Sequence, residues 1–371
     1  QTVFTTQTGN YSSFRTSSPA RDDDAVTFSI AGKQVNEIRH IVAMDSLILL
    51  TSGGEWRVSE GQDDILTPST VGVRIQSYNG VSWVTPAVIN DSIIYVQEKG
   101  ARVRDLRYQV SSEESQGSDL SIMAEHLFEG HEILEMSYSA EPYSILWAVR
   151  DDGVLLGMTY QQEHKVWAWH QHTTLGEFES LATITEDGRD ATYVVVKRVI
   201  DGSTVRYVER LEVRVDSDAA DVFCVDSGLS YDGAPTTTLS GLDHLEGEDV
   251  SVVADGNVVK GLSVVSGAIT LAVAASKVSV GLAYLPVIEL LDIDTAGVET
   301  IRANPVSVAK VVGEFEKSRG GWVGPATATG SDADMIEIKP RFESDGYDSI
   351  SLRTGKADVI TDMGWDRSGA I

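Results

Sequence analysis

The amino-acid sequence predicts an all-β chain of β-propeller blades, open or incomplete as a ring, with a small β-barrel or sandwich domain inserted. Three observations predict it. The first is a repeat. Residues 45–59 (DSLILLTSGGEWRVS), 91–106 (DSIIYVQEKGARVRDL), 143–160 (YSILWAVRDDGVLLGMTY) and 190–210 (DATYVVVKRVIDGSTVRYVER) each run apolar and β-branched, turn at polar or Gly residues, then alternate. Their starts lie about 45–50 residues apart, the interval of a four-stranded blade. The second is turn chemistry, with Asp201-Gly202 between alternating runs the strongest hairpin signal. The third is a change of character near Asp216, after which strands shorten and aromatics nearly vanish. A blade cannot bury both faces alone, so the repeat implies neighbours arranged about an axis.

These signals divide the chain into an extended arm (1–24), blades (25–215), an inserted small all-β domain (216–294) and a return to blade-like β material (295–371). The arm is polar, with Tyr11 and Phe14 placed to anchor it on a neighbouring surface. Residues 26–30 alternate as a strand, and 34–40 read as a helical turn or connecting loop. The first blade has strands at 47–50, 55–58 and 71–75, and the second at 84–89, 93–96 and 101–106. Residues 111–119 (SSEESQGSD) read as a long loop. Residues 120–127 (LSIMAEHL) are the best helix candidate, with Asp119 as N-cap. The third blade is complete: 133–138, 145–149, 154–160 and 165–170. The fourth has 180–184, 191–199 and 204–211. In the insert, short strands are expected at 222–225, 250–254, 257–259, 261–265, 268–271 and 278–282, and afterwards at 306–315, 335–338, 349–352 and 359–361, with Thr354-Gly355 a turn.

Composition narrows function by exclusion. The 371 residues carry 56 acids against 29 Lys and Arg, a formal net charge of −27. Phosphate binding needs cations to displace counterions, so this balance argues against a nucleic-acid clamp and against an anionic membrane surface. The single cysteine, Cys224, excludes an intrachain disulfide and suits a cytosolic assembly site. Its apolar setting (VFCV) is that of an inert buried thiol. No apolar run reaches the ~18 residues of a membrane span. Both ends read as cut from a longer chain.

Candidate chemistry is sparse. His170 and His172 share one face of a strand, a geometry able to bind zinc, but the sequence names no third ligand. His126 and His131 flank a Gly-containing turn. Asp22-Asp23-Asp24 and Asp151-Asp152-Gly153 could gather carboxylates around Ca²⁺. Asp292 opens an EF-hand-like loop that fails at Ala296 and closes on Ala303 instead of Glu. All read more simply as turn acids. Trp147, Trp167 and Trp169 suit either a sugar platform or packing between blades, and packing is preferred. No nucleophile elbow, phosphate loop or sialidase box is present, so no catalytic, cofactor or metal residue is assigned, and the chain is read as a non-enzyme.

The order of several motifs resembles a known family. These are Asp22-Asp23-Asp24-Ala25, Val35-Asn36-Glu37-Ile38-Arg39-His40, residues 49–56 (LLTSGGEW), 63–69 (DDILTPS), 97–106, 124–130 (AEHLFEG) and the third blade through Trp169. Together they resemble the tail nozzle of short-tailed phages, also called tail tubular protein B or packaged-DNA stabilisation protein. The resemblance covers roughly 10–215 and, more loosely, 306 onward. Residues 239–286 look like the small β-domain named after the first catalytic-cysteine half-domain of ubiquitin-activating enzyme. The resemblance implies a structural virion protein, hexameric, assembled in the bacterial cytoplasm and resident in the phage tail. It also implies portal or adaptor rings and tail fibre or spike proteins as partners, and DNA passing the lumen without specific binding. A like-charged lumen suits that passage physically. A carbohydrate-binding or carbohydrate-cleaving propeller is the alternative, and a generic protein-interaction propeller a third reading.

Overall fold

The computed structural model describes residues 1–32, 36–59, 66–109, 114–214, 218–291, 293–294, 305–325, 335–339 and 352–361. The chain is all-β. It divides into two compact units, one holding residues 1–199 and 204–211, the other 200–203 and 212–371.

In the first unit, strands β1 (Thr2–Phe4) and β2 (Thr27–Ser29) form a short antiparallel ladder. Four antiparallel sheets follow, each a meander in chain order. The first is β3 (Ile38–Ala43), β4 (Leu47–Thr51), β5 (Gly54–Ser59) and β6 (Gly72–Ser77). The second is β7 (Ala87–Ile89), β8 (Ser92–Val96), β9 (Val103–Gln109) and β10 (Glu114–Gln116). The third is β11 (Ile133–Ser139), β12 (Ile145–Arg150), β13 (Leu155–Gln161) and β14 (Val166–His172). The fourth has three strands among the described residues: β15 (Glu177–Glu186), β16 (Arg189–Ile200) and β17 (Ser203–Arg210).

The central strands explain how these sheets cohere. Successive side chains on a strand point to opposite faces, so a continuous apolar run can serve two neighbours. On β4, Leu49 packs with Phe28, Trp56 and Val58, while Ile48 and Leu50 pack with Ile93 and Tyr95 of β8. On β8, the other face (Ile94, Val96) joins Leu146, Ala148, Leu156 and Met158 of the third sheet. On β12, the opposite face (Ile145, Trp147, Val149) joins Phe178, Leu181, Val194 and Val196 of the fourth. The four sheets therefore stack in series, each face of a middle sheet covered by the next sheet. Full burial of one such side chain stabilises by about 1.5–3 kcal/mol.

Hydrogen bonds tie the same neighbours. Arg39 Nη1 donates to Val81 O at 2.7 Å and pairs with Glu98. Ile133 N donates to Gly100 O (3.1 Å), and Phe178 N to Gly153 O (2.9 Å). Glu135 accepts from Ser180 Oγ (2.6 Å) and Leu181 N (2.9 Å), next to a register shift in β15. Gly153 sits at φ +80°, and a Cβ there would come within 2.9 Å of Glu177 Cα, so the turn needs glycine.

The second unit holds a four-stranded sheet in the order β18 (Asp226–Ser240), β21 (Ala268–Leu282), β19 (Asp249–Ala254), β20 (Asn257–Ser263). Its core gathers Leu242, Leu245, Val252, Ile269, Val278 and Val280. Two further ladders join β22 (Lys310–Ser318) to β25 (Arg353–Ile360) and β23 (Trp322–Val323) to β24 (Ile336–Glu337).

Several elements differ from the sequence reading. Residues 120–127 do not form an α-helix: Ile122–Leu127 is a 3-10 segment kinked at Ala124. Asp119 does not cap it in the usual sense. Its Oδ1 accepts from Ser121 N (3.0 Å) and Ser121 Oγ (2.6 Å) while its other oxygen pairs with Arg102, so the acid is drawn to the sheet. The arm contains β1, the expected loop at 111–119 contains β10, and the stretch read as a turn or loop at 34–40 leads into β3. Residues 222–225 are not a strand; pairing starts at Asp226 and runs along the whole of β18. The short strands expected at 257–265 and 268–282 are two long ones, β20 and β21. Thr354-Gly355 lies inside β25. The strand expected at 349–352 falls almost wholly outside the described residues. Among the described residues no helix is long and apolar enough to cross a membrane.

Candidate functional site

The fold brings His131 to Asp151 and Asp152, an adjacent acid pair that the sequence presents separately from it. His131 lies two residues before β11, and Asp151 and Asp152 immediately follow β12. The two strands are antiparallel neighbours, so their ends coincide. Asp151 N donates to Glu132 O at 2.9 Å and closes this corner. His131 Nδ1 then lies 3.1 Å from Asp151 Oδ1 and 3.7 Å from Asp152 Oδ2. An imidazole and two carboxylates at such spacing are a ligand set for a divalent cation.

A second set of contacts weighs against that use. Arg150 Nε donates to Asp152 Oδ1 (2.7 Å), and Nη2 to Asp152 Oδ2 (2.5 Å). Its Nη1 reaches Leu127 O at 2.6 Å. The guanidinium thus occupies both oxygens of Asp152, and it holds that carboxyl below the usual carboxylate range against a smaller opposing effect of burial. A cation would have to displace Arg150, itself buried, from a bidentate pair. The cluster is built to fasten the 3-10 segment and the β12 turn to one corner of the third sheet.

The other candidates separate. His170 and His172 stay together on β14, ring centroids 5.0 Å apart, and both stand against Trp147 at 5.8 and 5.4 Å. Gly157 lies opposite His170, and a Cβ there would fall 2.4 Å from His170 Nε2, so the bare glycine seats the imidazole over the indole. The arrangement is edge-to-face aromatic packing. His126 is exposed on the 3-10 segment, away from this pair in sequence and sheet. Asp24 is buried, with both oxygens used: it accepts from Ser17 N, Ser17 Oγ and Arg21 N at 2.8–2.9 Å. Those bonds, that from Arg21 first, hold its carboxyl below the ordinary range. Tyr11 and Phe14 are exposed. Asp292, Ala296 and Ala303 lie outside the described residues.

The three tryptophans do not share a platform. Trp147 is buried in the cluster toward the fourth sheet, whereas Trp167 and Trp169 pack on the cluster toward the second. Trp169 Nε1 donates to Leu120 O (2.8 Å), and its ring meets Phe128 edge-on at 4.9 Å. Cys224 is exposed, not buried as its apolar neighbours suggest, because residues 222–225 precede β18 and join no sheet. Partial burial still pushes its thiol up, which leaves it a weak nucleophile.

Sequence reading passed over Glu55, which is fully buried on β5 opposite Leu50. Strand alternation places it on the inner face with Leu50, so the signal was present, but its place beside a Gly-Gly turn reads as exposed. No protein-family profile matches this chain, and no curated protein is similar to it.

Proposed function

We propose that the chain is a non-enzymatic structural component of a phage tail, a part of the nozzle through which DNA is retained and ejected. On this reading the four stacked sheets are propeller blades about an axis. Copies of the chain assemble, as a hexamer, in the host cytoplasm and reside in the virion against portal or adaptor rings and fibre or spike proteins. The observation that carries the reading is the serial stack: central strands buried on both faces, and sheet-to-sheet hydrogen bonds at Val81, Gly100 and Gly153. The order of the motifs and the net charge of −27 support it, since a like-charged surface offers DNA few sticking points. Negative-stain imaging of the protein mixed with an adaptor ring tests it. Six-fold rings are the expected result, and a stable monomer that never joins the ring argues for another role.

One observation favours the carbohydrate reading. Trp83 is 62% exposed, with the Arg39 guanidinium 5.2 Å from its ring centroid, a surface on which a sugar could stack. Glycan-array binding that disappears in Trp83→Ala would favour that alternative.

A further inference from the structure

The stack of four sheets is covered at one end and open at the other. At the first sheet, Val3, Val26 and Phe28 of the N-terminal segment pack over Leu49, Trp56 and Val58. At the fourth sheet, apolar side chains stay exposed. Val194 and Val196 of β16 face the third sheet, so Val195 and Val199 face outward. Glu209 reaches Arg198 on the inner side, so Val208 beside it on β17 also points outward. Val199 and Val208 are 61% and 72% exposed, and Ile184, three residues along β15 from the inward-facing Leu181, is exposed with them. Three ion pairs lie on this outward face: Lys197–Glu177, Arg206–Glu179 and Arg210–Glu186, at 2.9, 2.6 and 3.2 Å. Their charges cancel. Copies of a chain with a net charge of −27 repel one another, and they meet most easily where the local charge is balanced.

The second unit carries another uncovered apolar element. Residues 284–291 (YLPVIELL) follow β21 and join no ladder. Leu285, Val287, Ile288 and Leu291 are exposed, Ile288 at 84%. Glu289 is the one charged residue of the run. A contiguous exposed apolar run of this kind marks a contact site. Pro286 interrupts any ladder through it, so the run suits docking by its side chains on a face better than pairing along an edge. Eight extended residues reach about 27 Å. The 12 residues of β16 span about 40 Å, so the run fits along the face.

The covered first sheet leaves no bare sheet face of another copy to continue the stack, whereas the run of another copy is apolar, low in charge and of matching length. We propose that residues 284–291 of one copy dock on the outward face of the fourth sheet of the next, over Val199 and Val208. The two surfaces differ, so the contact is head-to-tail, the kind that closes rings instead of stopping at a pair. It supplies a contact for the assembly of the preceding section and rests on that reading only for the number of copies.

Sedimentation velocity and site-directed cross-linking of the whole chain test this. The wild type should associate as concentration rises. Val208→Asp and Ile288→Asp, each at an exposed position where a charge leaves the fold intact, should stay monomeric. In a Cys224→Ser background, Val208→Cys and Ile288→Cys variants mixed and treated with a short bis-maleimide should give a cross-linked pair that neither gives alone. A monomeric wild type, association unchanged in Val208→Asp, no cross-linked pair on mixing, or like-with-like pairs from one variant alone would each overturn the proposal. Six-fold rings that persist in Val208→Asp would remove this contact and leave the nozzle reading standing. The mixed cross-link without six-fold rings would do the reverse.

Discussion

Arg198 is 1% exposed and has its guanidinium fully engaged. Nε and Nη2 fork onto Glu209 at 2.8 and 2.9 Å, and Nη1 donates to Thr174 Oγ1 and Leu175 O at 2.8 and 2.7 Å. Removing it takes the forked partner from a mostly buried carboxylate, so Arg198→Met should cost about 3–5 kcal/mol in urea unfolding. Arg198→Lys should recover only part of this, because an ammonium cannot reproduce the fork; equal stability of Lys and Arg would contradict the geometry. Acid sensitivity belongs to this scale too. Arg150 depresses the Asp152 carboxyl; for Asp119, burial pulls upward but Ser121 and Arg102 more than offset it. A carboxylate with a folded pKa below its unfolded value stabilises above the unfolded pKa, and that contribution is lost as pH falls through the folded one. Urea midpoints should therefore drop on acidification below the ordinary carboxylate range, and Asp152→Asn should flatten that limb.

At the scale of elements, β12 is where two seams meet. Leu146→Ala opens the seam toward the second sheet and should cost about 2–5 kcal/mol by denaturant titration. Glu135→Ala leaves Leu181 N without its acceptor at the seam toward the fourth sheet, a loss of about 1–3 kcal/mol. Hydrogen exchange should speed up along β15 in that variant; protection unchanged there would mean the tie is idle. These central strands were legible in the sequence because a strand covered on both faces must be apolar along its buried run, as Ile93–Val96 of β8 and Ile145–Val149 of β12 are. β3 was not: IRHIVA has two basic residues, and only partial burial on an edge permits them. Nor was β18, whose Gly, Asp and Pro read as breakers. Pairing with β21 through several register shifts carries them. The cluster of His131, Asp151 and Asp152 was legible only as fragments, since its members meet where β11 begins and β12 ends.

For the whole molecule, an excess of 27 negative charges sets the behaviour in solution. Self-repulsion weakens the compact state, and salt screens it. The melting temperature should rise between low and physiological ionic strength, and mobility-shift titrations with duplex DNA should show no complex at physiological salt. A melting temperature indifferent to salt would place the acids too far apart to matter. The exposed Cys224 has a practical corollary. It is the sole thiol in the sequence, so a maleimide dye would mark one defined point of the second unit. Because its thiolate is scarce at neutral pH, coupling should quicken steeply under alkaline conditions. Particles carrying one fluorophore per chain would then fade in discrete photobleaching steps, and the number of steps would count the copies in any ring they form.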